Sequence, residues 1–138
     1  MNMKELFSKK QPDKEKQIGE IIPEPYQYSE DSSKDKVYCL ISLTCMHCVD
    51  LLPYLNNFAS SYSGELYLLC NCTSEEMTDL IQYFDYKFKL IQVTEEDIFQ
   101  NLGIKQTPYA MHLSNQFEVL NESIVYNDDD MRRLVGER

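Results

Sequence analysis

Cys45-Met46-His47-Cys48 stands where one sequence pattern gives way to another. Before it, "KVYCLISL" (Lys36–Leu43) is a short, nearly continuous apolar run rich in strand formers, as expected of a strand buried on both faces. After it, Val49, Leu52, Leu55 and Phe58 recur at helical spacing, and Pro53 inside that period predicts a kink. The pair of cysteines therefore sits at a strand-to-helix junction.

The same alternation continues downstream. "SGELYLLCN" reads as a turn and a second buried strand, and "TSEEMTDLIQYF" opens with the Thr/Ser and early acids of a helix start. "YKFKLIQV" is a short strand or an extended connector, and "TEEDIFQNLGI" a helix stopped by Gly103. "TPYAMHLSNQFEVLNE" predicts two strands around the turn Ser114–Gln116, and "NDDDMRRLV" a last helix with acids at its positive end. The order β-α-β-α-(β)-α-β-β-α argues for an α/β fold, a central mixed sheet with helices on both faces.

Upstream, Met1 to about Gln17 alternates charges without apolar periodicity and is expected to be a mobile tail. "GEIIPEPYQYSEDSSKDK", with Pro23 and Pro25, reads as an extended lead-in followed by a loop. The expected organisation is thus a tail and lead-in over 1–35 and one domain over 36–138. A chain of 138 residues suits a single core, and a monomer is expected.

Charge narrows the partners. A formal net charge of −10 disfavours nucleic acid and anionic membrane surfaces, and fits a basic or neutral polypeptide better. No apolar run approaches the roughly 20 residues of a membrane-spanning helix. The charged N-terminus lacks the apolar block of a secretory signal, so a cytoplasmic setting is expected. Five cysteines, an odd number, do not suggest a secreted disulfide scaffold.

At a strand-to-helix junction, unpaired backbone N–H groups and the helix dipole favour an anion, so a thiolate at Cys45 is expected to have a lowered pKa. Cys48 is then placed to resolve a mixed disulfide made by Cys45. His47, when protonated, would add positive charge beside that thiolate. The spacing alone is shared by redox proteins and soft-metal sites. Cys70 and Cys72, in "LCNC", share one strand face and admit three readings: a second redox pair, a zinc site with Cys45 and Cys48, or small packing residues. Cys39 reads as a packing residue and His112 as a packed or surface histidine.

The combination of Cys45 and Cys48 at the junction, Pro53 five residues on, and "LGIKQTPYAMHL" resembles the thioredoxin-like superfamily over roughly Val37 to Val135. The connector "YKFKLIQVTEEDIFQNLGI" is similar to the peroxiredoxin-like and cytochrome-maturation branch. More distantly, the chain resembles thioredoxin-like proteins that mature a sporulation killing factor, a bacteriocin. The resemblance implies a thioredoxin-like fold and a cis Pro108 facing the cysteine pair. It also implies that Met46, Thr107, Pro108 and Tyr109 meet an extended substrate. Departures are plain: Thr44 stands where thioredoxins usually carry tryptophan, and Cys39 where they bury a carboxylate. His47 and Thr107 are similar to disulfide oxidases rather than reductases.

Three functions follow as expectations. The first is a thiol–disulfide oxidoreductase, with Cys45, Cys48 and His47 catalytic, no bound cofactor and no metal. It would form a disulfide in a small peptide or protein, such as a bacteriocin precursor, and be reset by a redox partner. The second is a soft-metal protein holding Cu(I) or zinc with the same cysteines. The third is a thiol peroxidase, for which no Thr/Pro/Cys/Arg motif is evident.

Overall fold

Strand β1 (Lys36–Ser42) is buried along its whole length, because it lies at the centre of a five-stranded sheet. The computed structural model describes residues 17–136, so all but the last residue of the expected tail lies outside the described residues. The sheet order is β3-β2-β1-β4-β5, with β2 Glu65–Asn71, β3 Lys89–Val93, β4 Tyr109–Leu113 and β5 Val119–Ile124. β1, β2 and β3 are parallel neighbours, while β4 and β5 run antiparallel on the other side of β1. The uncertain segment "YKFKLIQV" thus contains the edge strand β3.

Strand alternation sends side chains to two cores. Val37, Cys39 and Ile41 of β1 join Leu66, Leu68 and Cys70 of β2 on one face; Tyr38 and Leu40 join Tyr67, Leu69, Met111 and Leu113 on the other. The first face carries the four α-helices of the described residues: α1 (Met46–Leu51), α2 (Leu55–Ser61), α3 (Ser74–Phe84) and α4 (Asp128–Leu134). Pro53 splits what the periodicity reads as one helix, leaving a 3-10 turn, Leu52–Tyr54, between α1 and α2. α3 begins with a capping box, in which Glu76 N–H donates to Thr73 Oγ1 at 3.1 Å and Thr73 N–H to Glu76 Oε1 at 2.9 Å.

The second face is covered differently from the expectation. "TEEDIFQNLGI" is helical over 95–101 as expected, but the segment Asp97–Asn101 is a π-helical turn rather than regular α-helix. Leu102 N–H reaches back to Asp97 O at 2.9 Å, and Gly103 follows at φ 71°. That wide turn lets Ile98, Leu102 and Ile104 all enter the same core.

The lead-in completes this cover. Gly19 N–H donates to Val119 O and Val119 N–H to Glu20 O, at 2.8 and 2.9 Å. Ile22 is buried, and Tyr26 and Tyr28 pack beside it. Tyr38 hydroxyl donates to Tyr26 O at 2.6 Å, and Tyr26 hydroxyl donates to Asp97 Oδ1 at 2.5 Å. Residues of the lead-in, which include the 3-10 turn Glu24–Tyr26, therefore act as a second layer on a face whose other cover is the π-helical turn.

Candidate active site

β1 delivers the cysteine pair to the surface. After Ser42 the chain turns, with Cys45 N–H donating to Ser42 O at 3.0 Å. Cys45, in an extended conformation at φ −100°, ψ 120°, is the N-cap of α1. Cys45 is partly exposed, whereas Cys48 is fully buried one turn in. Ser42 N–H points at Cys48 Sγ at 3.4 Å, which ties the inner sulfur to the end of the central strand.

The loop before β4 closes the site. The Thr107–Pro108 peptide bond is cis, and Cys45 Sγ–H donates to Thr107 O at 3.5 Å. Val125 N–H donates to Pro108 O at 3.4 Å, which joins this loop to the end of β5. The structure therefore brings Cys45, Cys48, Thr107 and Pro108 together from two distant parts of the chain.

The two thiols have opposite electrostatic settings. Burial pushes the Cys45 thiol up, but hydrogen bonds to its sulfur outweigh this and bring its pKa below the ordinary value. These come from the Cys48 thiol, the Cys48 N–H, the Thr107 hydroxyl and the His47 N–H. Burial, together with the hydrogen bond to Cys45, pushes Cys48 up to about 12. Cys45 is thus the sulfur that ionises more readily, and Cys48 is its proton-bearing neighbour. The orphan N–H groups of the first helical turn act here as the sequence suggests, although α1 is only six residues long.

The other candidate residues fall into two groups. Met46 is 76% exposed on the rim beside Cys45. His47 is exposed and gives Cys45 its backbone N–H, while its ring meets Tyr126 edge-on at 5.5 Å. Tyr109 belongs to the opposite core, and its hydroxyl donates to Glu122 Oε1 at 2.8 Å. The Tyr109 ring is therefore not brought to the cysteine pair. His112 is half-buried and faces Asp35 at 3.5 Å; burial lowers its pKa against the pull of Asp35.

Sequence reasoning missed Tyr126 and Glu122. Tyr126 is half-exposed between β5 and α4, and only the fold carries it to His47. Glu122 is buried in β5, accepting from Tyr109 and from the Gln17 N–H. "VLNESI" gave no signal for it: the buried positions Val119 and Glu122 lie three apart, out of the strand period, and a carboxyl group reads as solvent-facing.

All five cysteines lie in or against one core cluster, on the helix-bearing face. Among the described residues, no group of three or more His, Cys, Asp or Glu side chains is placed to hold a metal ion. No helix among them is long and apolar enough to cross a membrane.

No protein-family model matches the chain, and no curated protein sequence matches it. Solved structures do. StoA from Bacillus subtilis superposes with a TM-score of 0.63 at 14% identity, covering 77% of this chain and 85% of its own. A secreted Mycobacterium tuberculosis disulfide oxidoreductase, homologous to E. coli DsbE, gives 0.60 at 13%, covering 75% and 81%. A putative thiol:disulfide interchange protein DsbE from Chlorobium tepidum gives 0.64 at 11%, covering 75% and 79%. The shared element is the fold; in this chain the cysteine pair follows the central strand β1 and the Thr-Pro loop precedes its neighbour β4.

Proposed function

On this thioredoxin-like fold, we propose that the chain is a thiol–disulfide oxidoreductase that forms a disulfide in a small cysteine-bearing peptide or protein. One observation carries the reading: a partly exposed, thiolate-favouring Cys45 receives a hydrogen bond from a buried, proton-bearing Cys48, against a cis Thr107–Pro108 loop. A metal site would have no use for that asymmetry between its two sulfurs.

The chemistry follows from the two settings. A substrate thiolate attacks Cys45 Sγ of the oxidised pair, the Cys45–Cys48 bond breaks, and Cys48 leaves as a thiolate and takes a proton. A second substrate thiolate attacks the substrate sulfur of the mixed disulfide and expels Cys45 as its stabilised thiolate. Two electrons have then passed from substrate to the pair. Because its hydrogen bonds favour the reduced form, the oxidised pair is a stronger oxidant than one built from ordinary thiols.

A small basic peptide such as a bacteriocin precursor is the substrate class in best accord with the net charge of −10 and the exposed Met46 on the rim. The test mixes the oxidised protein with a reduced two-cysteine peptide. The expected result is cyclised peptide and reduced Cys45 and Cys48, abolished by Cys45→Ser. Brisk reduction of insulin without peptide oxidation would make the protein a reductase instead.

A further inference from the structure

A second close pair of cysteines ends the neighbouring strand, although burial and Glu76 hold the outer thiol, Cys72, above its ordinary pKa where Cys45 lies below it. At the end of β2, Cys70 is fully buried and Cys72 is partly exposed, one residue past the last strand position, Asn71. The Cys70 thiol is hydrogen-bonded to the Cys72 sulfur, as the Cys48 thiol is to Cys45. Each pair thus has a buried inner sulfur and a more accessible outer one.

The inner sulfurs share one region of the core. Cys48 Sγ is held by Ser42 N–H, and the residue before Ser42, Ile41, is the register partner of Cys70 on the adjacent parallel strand. Ile41, Cys48 and Cys70 belong to the same apolar cluster, and Cys48 and Cys70 interact electrostatically. The outer sulfurs belong to different elements: Cys45 lies against the Thr107 loop, while Cys72 lies between β2 and α3, its carbonyl accepting from Gln92 Nε2.

We propose that Cys70 and Cys72 form a second redox pair, which exchanges electrons with Cys45–Cys48 through Cys48 and with an external disulfide through Cys72. The proposal rests on the redox reading of Cys45–Cys48. Residues two apart in a strand span about 6.4–6.8 Å, at the upper end of the Cα separation a disulfide accepts. Cys72 lies beyond the β2 ladder, where the backbone can make the small inward movement that a bridge requires.

The exchange balances in two steps. After substrate oxidation, Cys48 loses its proton and attacks Cys70 of a Cys70–Cys72 disulfide; the Cys70–Cys72 bond breaks and Cys72 leaves as a thiolate. Cys45 thiolate then attacks Cys48, the Cys48–Cys70 bond breaks, and Cys70 leaves and takes a proton. Two electrons and one proton have moved from the first pair to the second, a thiolate at Cys45 being replaced by one at Cys72. Cys72 thiolate next attacks a low-molecular-weight disulfide, releasing one thiol of that carrier. Cys70 resolves the mixed disulfide and releases the other. The substrate groove and the recharging surface are thereby separated, so a bound peptide need not leave before electrons do.

The experiment uses the full chain and oxidised glutathione as the carrier. Reduced protein is poised across glutathione redox buffers, quenched with acid, alkylated and mapped by mass spectrometry. The expected result is a Cys70–Cys72 disulfide in the wild type and a Cys48–Cys70 link in Cys45→Ser. The Cys72→Ala variant, at a partly exposed position, should still oxidise one equivalent of peptide but recharge at least about tenfold more slowly. Cys70 and Cys72 remaining fully alkylated wherever the Cys45–Cys48 disulfide forms would overturn the proposal, as would unchanged recharging in Cys72→Ala. If neither protein oxidises the peptide, the oxidase reading fails, and the disulfide map still decides whether the second pair exists.

Discussion

Replacing Tyr109 by Phe separates a packing role from a substrate-binding one. The phenol donates at 2.8 Å to Glu122 Oε1, and Glu122 is only 1% exposed. Removing the hydroxyl leaves a buried acceptor without that donor, which costs about 1–3 kcal/mol. With a urea slope of about 2 kcal/mol/M, the unfolding midpoint should fall by about 0.5–1.5 M. The rate of peptide oxidation should not change, because the ring lies in the core opposite the one that Cys45 packs against. Equilibrium urea unfolding and single-turnover peptide oxidation on the same preparation give both readouts. An unchanged midpoint with a slowed reaction would refute the packing account and return Tyr109 to the substrate groove.

Alkylation of the reduced protein should modify Cys45 first, with a midpoint below the ordinary thiol value of about 8.5, because hydrogen bonds favour its thiolate. Cys48, pushed up to about 12, should resist at pH 9, and preferential labelling of Cys48 would reverse the roles. Tyr26→Phe removes the hydroxyl that chiefly holds the Asp97 carboxyl below its usual value. A depressed carboxyl contributes stability above its unfolded pKa, about 3.9, and loses it as pH falls through the lower folded value. The urea midpoints of wild type and Tyr26→Phe should therefore differ at pH 7 and converge in strong acid; a gap that persists there would contradict the pairing. Thr73→Ala should cost about 1 kcal/mol by opening the capping box of α3, and no loss in urea unfolding would show that the cap contributes nothing.

What the sequence disclosed, it disclosed through local pattern. The apolar runs at Lys36–Ser42 and Glu65–Asn71 became β1 and β2, and the acids after Thr73 and Asn127 marked the starts of α3 and α4. Pro53 marked a break because its ring and missing N–H act within one turn. Features set by distant partners were hidden. Ile22, Tyr26 and Tyr28 lack any period, yet they cover a sheet face because a single π-helical turn leaves it incomplete. Glu122 looks like a surface acid until β5 places it beside Tyr109. His47 offered a charge to the reading of the motif, whereas its backbone N–H reaches Cys45 and its ring turns to Tyr126. The cysteine spacing at a strand-to-helix junction located the site and pointed to the lower pKa at Cys45, and burial adds the raised pKa of Cys48.

The division of labour within that pair is tested most directly by trapping. Cys48→Ala, reduced and mixed with a one-cysteine peptide supplied as its symmetric disulfide dimer, should accumulate a mixed disulfide with release of one peptide thiol, because Cys45 can attack but neither position 48 nor the bound peptide holds a second thiol to resolve it. Intact mass and peptide mapping should find one peptide per chain, attached at Cys45. An adduct accumulating instead in Cys45→Ala at Cys48, with none in Cys48→Ala, would contradict the account.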